Sequence, residues 1–217
     1  MQDSAPHIIA LEDRASDGAR LSSPSAARNR SVIAQLLAER LSEGARVLEI
    51  ASGTGEHAVA ATGLRPDLSW TPSDIDEASL ASQADWARDA QGRIEPPLKL
   101  DVSQADWWGE APAIDAVFCA NMIHIAPWRA AQGLFAGAGR LLSDAGLLLL
   151  YGPFLEGEAT APSNLEFDAS LKSRNPDWGV RALDDVVSLS RTHGFRLAER
   201  VETPANNRLL RFQRGGA

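Results

Sequence analysis

Four polar side chains stand where short apolar runs end: Glu49 after "RVL", Asp74 closing "WTPSD", Asp101 closing "LKLD" and Asn121 closing "FCAN". Between the first two, Gly53, Gly55 and Ala58 satisfy GxGxx(G/A), a spacing that turns a strand into a helix and lets a ligand approach bare backbone. Two ligands suit such a loop, the pyrophosphate of a dinucleotide and a nucleoside cofactor that carries positive charge. Asp74 lies 19 positions after Gly55, where an acid accepts from ribose hydroxyls in either case. Glu49 separates them. A carboxylate at the lip of the first strand repels a phosphate by roughly 3 kcal/mol at ~6 Å and an effective dielectric of ~20. The same charge attracts the sulfonium and ammonium of S-adenosylmethionine. Taken singly, each acid has a plainer explanation: Glu49 as a partner of Arg46, and Ser73, Asp74 or Asp76 as the cap of the next helix.

These residues need a parallel sheet to bring them together, and the sequence is patterned for one. "RVLEI", "LSWTPSD", "LKLDV", "IDAVFCAN" and "GLLLLYGPF" alternate with helical stretches near 56–64, 76–91 and 128–142. Strands alternating with helices imply a parallel sheet covered on both faces. In such sheets ligands bind beyond the carboxyl ends of the strands, where all four polar residues fall. Upstream, Ser23-Pro24 opens a helix with Ile33, Leu36, Leu37 and Leu41 on one face, closed by Ser42-Glu43-Gly44. At the far end "FRLAERVE" and "NRLLRFQR" flank the turn-forming "TPANN", an antiparallel pair. The expected architecture is an α/β three-layer Rossmann-like sandwich, a mostly parallel seven-stranded sheet ending in that antiparallel pair. Residues 1–22 read as an N-terminal arm, and the whole chain as one domain.

Composition narrows the partners. A net charge of -8 over 217 residues gives no electrostatic footprint for nucleic acid. The single cysteine, Cys119, sits inside an apolar run and forms no internal disulfide, which suits a reducing, cytoplasmic setting. No signal-peptide pattern opens the sequence, and no apolar run approaches the ~18 residues of a membrane span. No metal-ligand spacing is present either.

The residues resemble the class I S-adenosylmethionine-dependent methyltransferases: "VLEIASGTG" is similar to their glycine loop, with Ala51 where the first glycine is usual. A narrower resemblance, over nearly the whole chain, is to the methyltransferase-like 26 family. It is carried by "SPSAARNR", "LEIASGTGEH", "PSDID", "NMIHIAPW", "LLYGPF", "NLEFDASLKSRNPDWGVR" and the late "NN". Where an acid is expected soon after "WGVR", this chain has Ala182 and then Asp184. The resemblance implies S-adenosyl-L-methionine as cofactor. It assigns Glu49, Ala51, Gly53, Thr54 and Gly55 to the methionine end, Asp74 and Ile75 to the ribose side, Asp101 and Val102 to the adenine, and Asn121 and Met122 to the neighbourhood of the sulfonium.

Methyl transfer from a sulfonium is an in-line displacement that needs a nucleophile held against the methyl with water displaced. His124, just past the fourth strand, is the candidate to take a proton from a hydroxyl or amine; a satisfied structural histidine is the alternative. His57, in the first helical turn after the loop, reads as a packing or surface side chain. Residues 152–179 interrupt the strand–helix alternation without firm periodicity and read as a lid or substrate loop. There Asn164, Phe167, Arg174, Asn175 and Trp178, with Arg28 and Asn29 from the first helix, line the expected substrate pocket. The fourth-strand end lacks the (D/N)PP(Y/F) arrangement of many nucleobase and amide methyltransferases, so a small-molecule or protein acceptor is expected. Trp107 and Trp108 read as core and adenine-pocket wall. The alternatives are a catalytically silent module that binds the cofactor as a partner or sensor and, disfavoured by Glu49, a nicotinamide-dependent oxidoreductase.

Overall fold

The computed structural model describes residues 14–215. The first thirteen residues of the expected N-terminal arm lie outside the described residues. In chain order the elements are β1 (Ala15–Asp17), β2 (Arg20–Ser22), α1 (Pro24–Ala38), β3 (Arg46–Ile50), α2 (Glu56–Leu64), β4 (Ser69–Asp74), α3 (Glu77–Arg88) and β5 (Leu98–Lys99). There follow β6 (Ala116–Ala120), α4 (Trp128–Leu141), β7 (Leu147–Leu155), α5 (Pro162–Arg174), β8 (Arg181–Ala182), α6 (Leu183–Thr192), β9 (Phe195–Thr203) and β10 (Asn207–Arg214).

The main sheet runs β5-β4-β3-β6-β7-β10-β9. β3 to β7 pair in parallel, and β10 runs antiparallel to both β7 and β9. These are the seven expected strands. The short β8 adds an eighth by pairing with the end of β7, and β1–β2 form a separate hairpin. The β9–β10 turn passes through Ala205 and Asn206, both left-handed, as "TPANN" foretells.

Strand alternation divides the core. Leu48, Ile50, Val117 and Cys119 face α4 and α6, whereas Val47, Ala116 and Phe118 face α1 and α2. α1 begins as its sequence demands, with Ser23 Oγ accepting from the Ala26 N–H and Pro24 opening the first turn. α4 lies unusually close to the loop after Asp101. A Cβ on Gly133 would fall 1.7 Å from the Val102 carbonyl oxygen, and one on Gly137 would fall 2.1 Å from the Trp107 ring. Trp107 fills that gap, donating its indole N–H to the Gly133 carbonyl at 2.9 Å, so it is core as expected.

Two expectations are corrected here. "LKLDV" makes a strand only over Leu98–Lys99, because Asp101 bends the chain into its own turn. The expected lid, 152–179, is not a loop: Gly152–Leu155 complete β7, and Pro162–Arg174 form α5. Helix α5 buries only Asn164 and Leu171, so it carries almost none of the apolar stripe that betrays a helix in sequence. Among the described residues no helix is long and apolar enough to cross a membrane.

Candidate functional site

The carboxyl edge of the sheet joins the glycine loop to the second strand. The Gly53 N–H donates to Asp74 Oδ2 at 2.9 Å, and Asp74 Oδ1 accepts from the Ile75 and Asp76 N–H groups at 2.8 and 3.1 Å. Three of about four lone-pair positions on an ionised carboxylate are thus filled; the fourth, on Oδ2, has no partner among the described residues. Burial pushes the Asp74 carboxyl above its ordinary pKa, against those three donors. Beside it Ile75 is 37% exposed, an apolar wall at the lip.

The loop needs its glycines. Gly55 has φ 90°, and a Cβ there would meet Gln83 and Trp86 of α3 at 3.3 Å. Gly53 has φ 57°, and among the described residues only the Arg14 guanidinium comes within 4.0 Å of the position of a Cβ. Ala51 stands at φ 56°, a left-handed conformation that strains any residue with a Cβ. From behind, Gln83 donates to the Gly53 carbonyl and Ser82 to the Thr54 carbonyl.

Glu49 does not stand at the lip. Alternation places it on the Val47 face beneath α2, where it is 1% exposed. Its Oε2 accepts from Trp70 Nε1 at 2.9 Å, and Oε1 lies 3.4 Å from His57 Nδ1. His57 Nε2 in turn meets Asn29 Oδ1 at 2.9 Å. The expected surface contact of Glu49 with a cofactor is therefore corrected to a buried relay one layer below the cleft, running from β4 through β3 and α2 to α1. His57 belongs to that relay, and Arg46 pairs instead with Asp115. Sequence reading missed Glu56, whose buried carboxylate accepts from the Ser23 N–H, Thr54 Oγ1 and Arg30. Its place right after the glycine loop was the available signal.

Asp101 holds its own turn, accepting from the Ser103 N–H and Oγ and from Gln104. Burial works to raise its pKa, but the Ser103 and Gln104 donors outweigh it and hold the carboxyl below the usual range. Val102 is buried against α4.

The second half of the edge lies at the ends of β6 and β7. Asn121, left-handed at φ 56°, donates its N–H to Tyr151 O. Its Oδ1 and the His124 ring approach the bare face of Gly152: a Cβ there would lie 3.4 Å from Asn121 Oδ1 and 3.6 Å from His124 Nδ1. Met122 is buried alongside. His124 is 3% exposed, and its Nδ1 has no hydrogen-bond partner among the described residues. Burial, with the nearby Arg181 charge, pushes its pKa down to about 3.

Helix α5 packs over this edge. Phe167 packs edge-on against His124 at 5.5 Å, and the Gly179 N–H donates to the His124 carbonyl. Arg181 fastens the same loop, donating to the carbonyls of Ile123, Ala126 and Asp177. Arg181 was missed because "WGVR" carries no catalytic spacing; its role is to hold the roof. Asn164, expected in the pocket, is instead buried and donates to the carbonyls of Phe154 and Asn206, tying α5 to the strand ends. Asn29 is engaged by His57, and Asn175 caps its own turn. Arg28 is exposed on α1, Arg174 is exposed in the last turn of α5, and Trp178 is half-buried beside the roof segment. Among the described residues no group of three or more His, Cys, Asp or Glu could hold a metal.

Residues 20–214 match the model of a family described as "Protein of unknown function (DUF938)". Among solved structures the chain is similar to an O-methyltransferase family protein from Burkholderia thailandensis, with a TM-score of 0.75 and 18% identity over 89% of this chain and 57% of that one. It is similar also to human N-acetylserotonin methyltransferase in complex with SAM, with a TM-score of 0.73 and 14% identity over 88% and 53%. A third is an O-methyltransferase family 2 protein from Planctomyces limnophilus in complex with apigenin, with a TM-score of 0.73 and 20% identity over 88% and 60%. The chain spans somewhat more than half the length of these proteins. Likeness at this identity carries the fold.

Proposed function

The chain belongs to DUF938, a family of proteins of unknown function, and from that premise we propose that its cleft binds S-adenosylmethionine and delivers the methyl group to a small-molecule acceptor. The observation that carries this reading is the hydrogen bond from the Gly53 N–H to Asp74, which joins an open-faced glycine loop to a strand-end acid. The residues fit a nucleoside there: one free position on Asp74 Oδ2 for a ribose hydroxyl, and Ile75 as an apolar wall for the base. On this reading Asp101 and Val102 would border its far side, and Ala51, Thr54, Asn121 and Met122 would lie toward the methionine end and the sulfonium. The narrower likeness to the methyltransferase-like 26 family rests on the sequence motifs.

When bound, the cofactor supplies an electrophilic methyl on sulfonium sulfur. The chain's own part is positioning and exclusion of water. His124, uncharged at physiological pH, offers a ring nitrogen to the hydroxyl or amine of an acceptor and orients its lone pair. Phe167 and the Gly179–His124 tie close the pocket over it, which favours a small molecule over a protein tail. A neighbour of the same fold crystallised with apigenin agrees with that choice.

Calorimetric titration with S-adenosylmethionine is expected to give at least micromolar binding, lost in Asp74→Ala, and a panel of hydroxylated and aminated small molecules should yield a methylated product. Absence of binding by the intact chain overturns the proposal. Binding without turnover on every acceptor would leave a cofactor-binding sensor instead.

A further inference from the structure

The cleft is acidic: Asp74, Asp76 and Asp101 stand around it and Glu49 lies beneath. That field suits a sulfonium and an ammonium, but S-adenosylmethionine also carries a carboxylate, which the same acids repel. Resting on the cofactor reading above, we propose that Arg14 is a further cofactor-binding residue, the cation that receives this carboxylate, and that the hairpin β1–β2 exists to deliver it.

The hairpin is clamped along one face of α3. Arg20 Nε donates to Asp85 at 2.6 Å, its guanidinium also pairs with Asp89, and it lies over the Trp86 ring at 4.4 Å. The Leu21 N–H donates to Ser82 Oγ at 2.8 Å, and that hydroxyl donates onward to the Thr54 carbonyl in the glycine loop. The helix face that grips the strap therefore also grips the loop. Where the strap reaches the cleft, Arg14 donates through one terminal nitrogen to Ser79 Oγ at 2.9 Å and pairs with Asp76 at 3.4 Å. Its other terminal nitrogen has no hydrogen-bond partner among the described residues and lies 4.0 Å from where a Cβ on Gly53 would sit. A guanidinium with a donor edge open over the bare backbone of a ligand loop is shaped for a carboxylate. Glu56 already holds Arg30, the neighbouring arginine of α1.

The test compares two ligands that differ only in that group, S-adenosylmethionine and its decarboxylated form, by calorimetry on the full chain. Arg14→Gln is expected to weaken S-adenosylmethionine tenfold or more, while the decarboxylated ligand changes less than twofold. Arg14→Lys should fall between. Arg20→Gln, remote from the cleft, loosens the strap and should give a smaller loss with the same selectivity; it decides the matter if Arg14→Gln does not fold. An equal loss for both ligands, or none for either, overturns the assignment. If the intact chain binds neither ligand, the cofactor reading falls and takes the role of Arg14 with it.

Discussion

The two halves of the sheet's carboxyl edge use their polar groups differently. Around the glycine loop polar groups interlock: Asp74 takes three backbone N–H groups, Glu56 takes three partners, and Ser82 and Gln83 fix the loop from behind. Behind the loop two buried atoms, Gln83 Oε1 and Trp86 Nε1, have no partner among the described residues, and at the ends of β6 and β7 His124 Nδ1 is left the same way. A buried polar atom in that state costs about 1–3 kcal/mol. The comparison teaches a difference of place: the unpartnered atoms of the first half lie on the helix behind the loop, whereas His124 Nδ1 faces Gly152 beside Asn121, where the proposed acceptor would sit.

Breaking the seam between the halves should have the largest effect. Gly133→Ala drives a side-chain methyl into the Val102 backbone carbonyl, which has little room to yield, and is expected to cost about 3 kcal/mol or more, read as a lowered denaturation midpoint. Next comes the glycine-loop half. Asp74→Ala strands three N–H donors, with an expected loss of ~2–3 kcal/mol besides the loss of cofactor binding. A variant as stable as the parent would show that the interlock around the loop is not what holds it.

The β6–β7 half should respond in the opposite sense. His124→Leu removes a buried unpartnered polar atom, so stability at neutral pH should hold or rise by up to ~1 kcal/mol, while methyl transfer falls 10²–10⁴-fold. The pH dependence sharpens this. The folded-state pKa is depressed to about 3, against an unfolded value of ~6.5. Between those values the unfolded chain binds a proton that the folded chain refuses. Stability should therefore fall as pH drops through that window, by up to ~1.4 kcal/mol per unit, and His124→Leu should flatten this component of the slope. The smallest effect belongs to the loop: Ala51→Gly relieves a left-handed Cβ and should add about 1 kcal/mol, with a rise in melting temperature as the readout.

Much of this was legible in the sequence, for definite reasons. Alternating apolar runs fix strands wherever both faces are covered, so β3, β4, β6 and β7 could be read to within about two residues. "TPANN" announced the final hairpin because consecutive left-handed residues need such turn chemistry. Helix α5 was illegible because it buries only Asn164 and Leu171, too few positions to form an apolar stripe. Glu49 was misplaced for a subtler reason: its position at a strand end was right, but period-two alternation decides whether a strand-end side chain meets the ligand or the layer beneath. The counterpart is His124, visible as a residue type in a suggestive place. That its ring nitrogen lacks a partner depends on α5 folding over it from 40 residues downstream, which local pattern does not encode.

The burial of Cys119 has a practical consequence. The surrounding core, and next the negative charge of Glu49, raise its thiol pKa far above the ordinary value, so it carries no thiolate while β6 stays paired. Because it is the sequence's sole cysteine, the rate at which a thiol-reactive dye consumes it amounts to a built-in clock for opening of the central strand. Slowing of that clock by a bound nucleoside would report occupancy of the cleft without any need to know what is methylated.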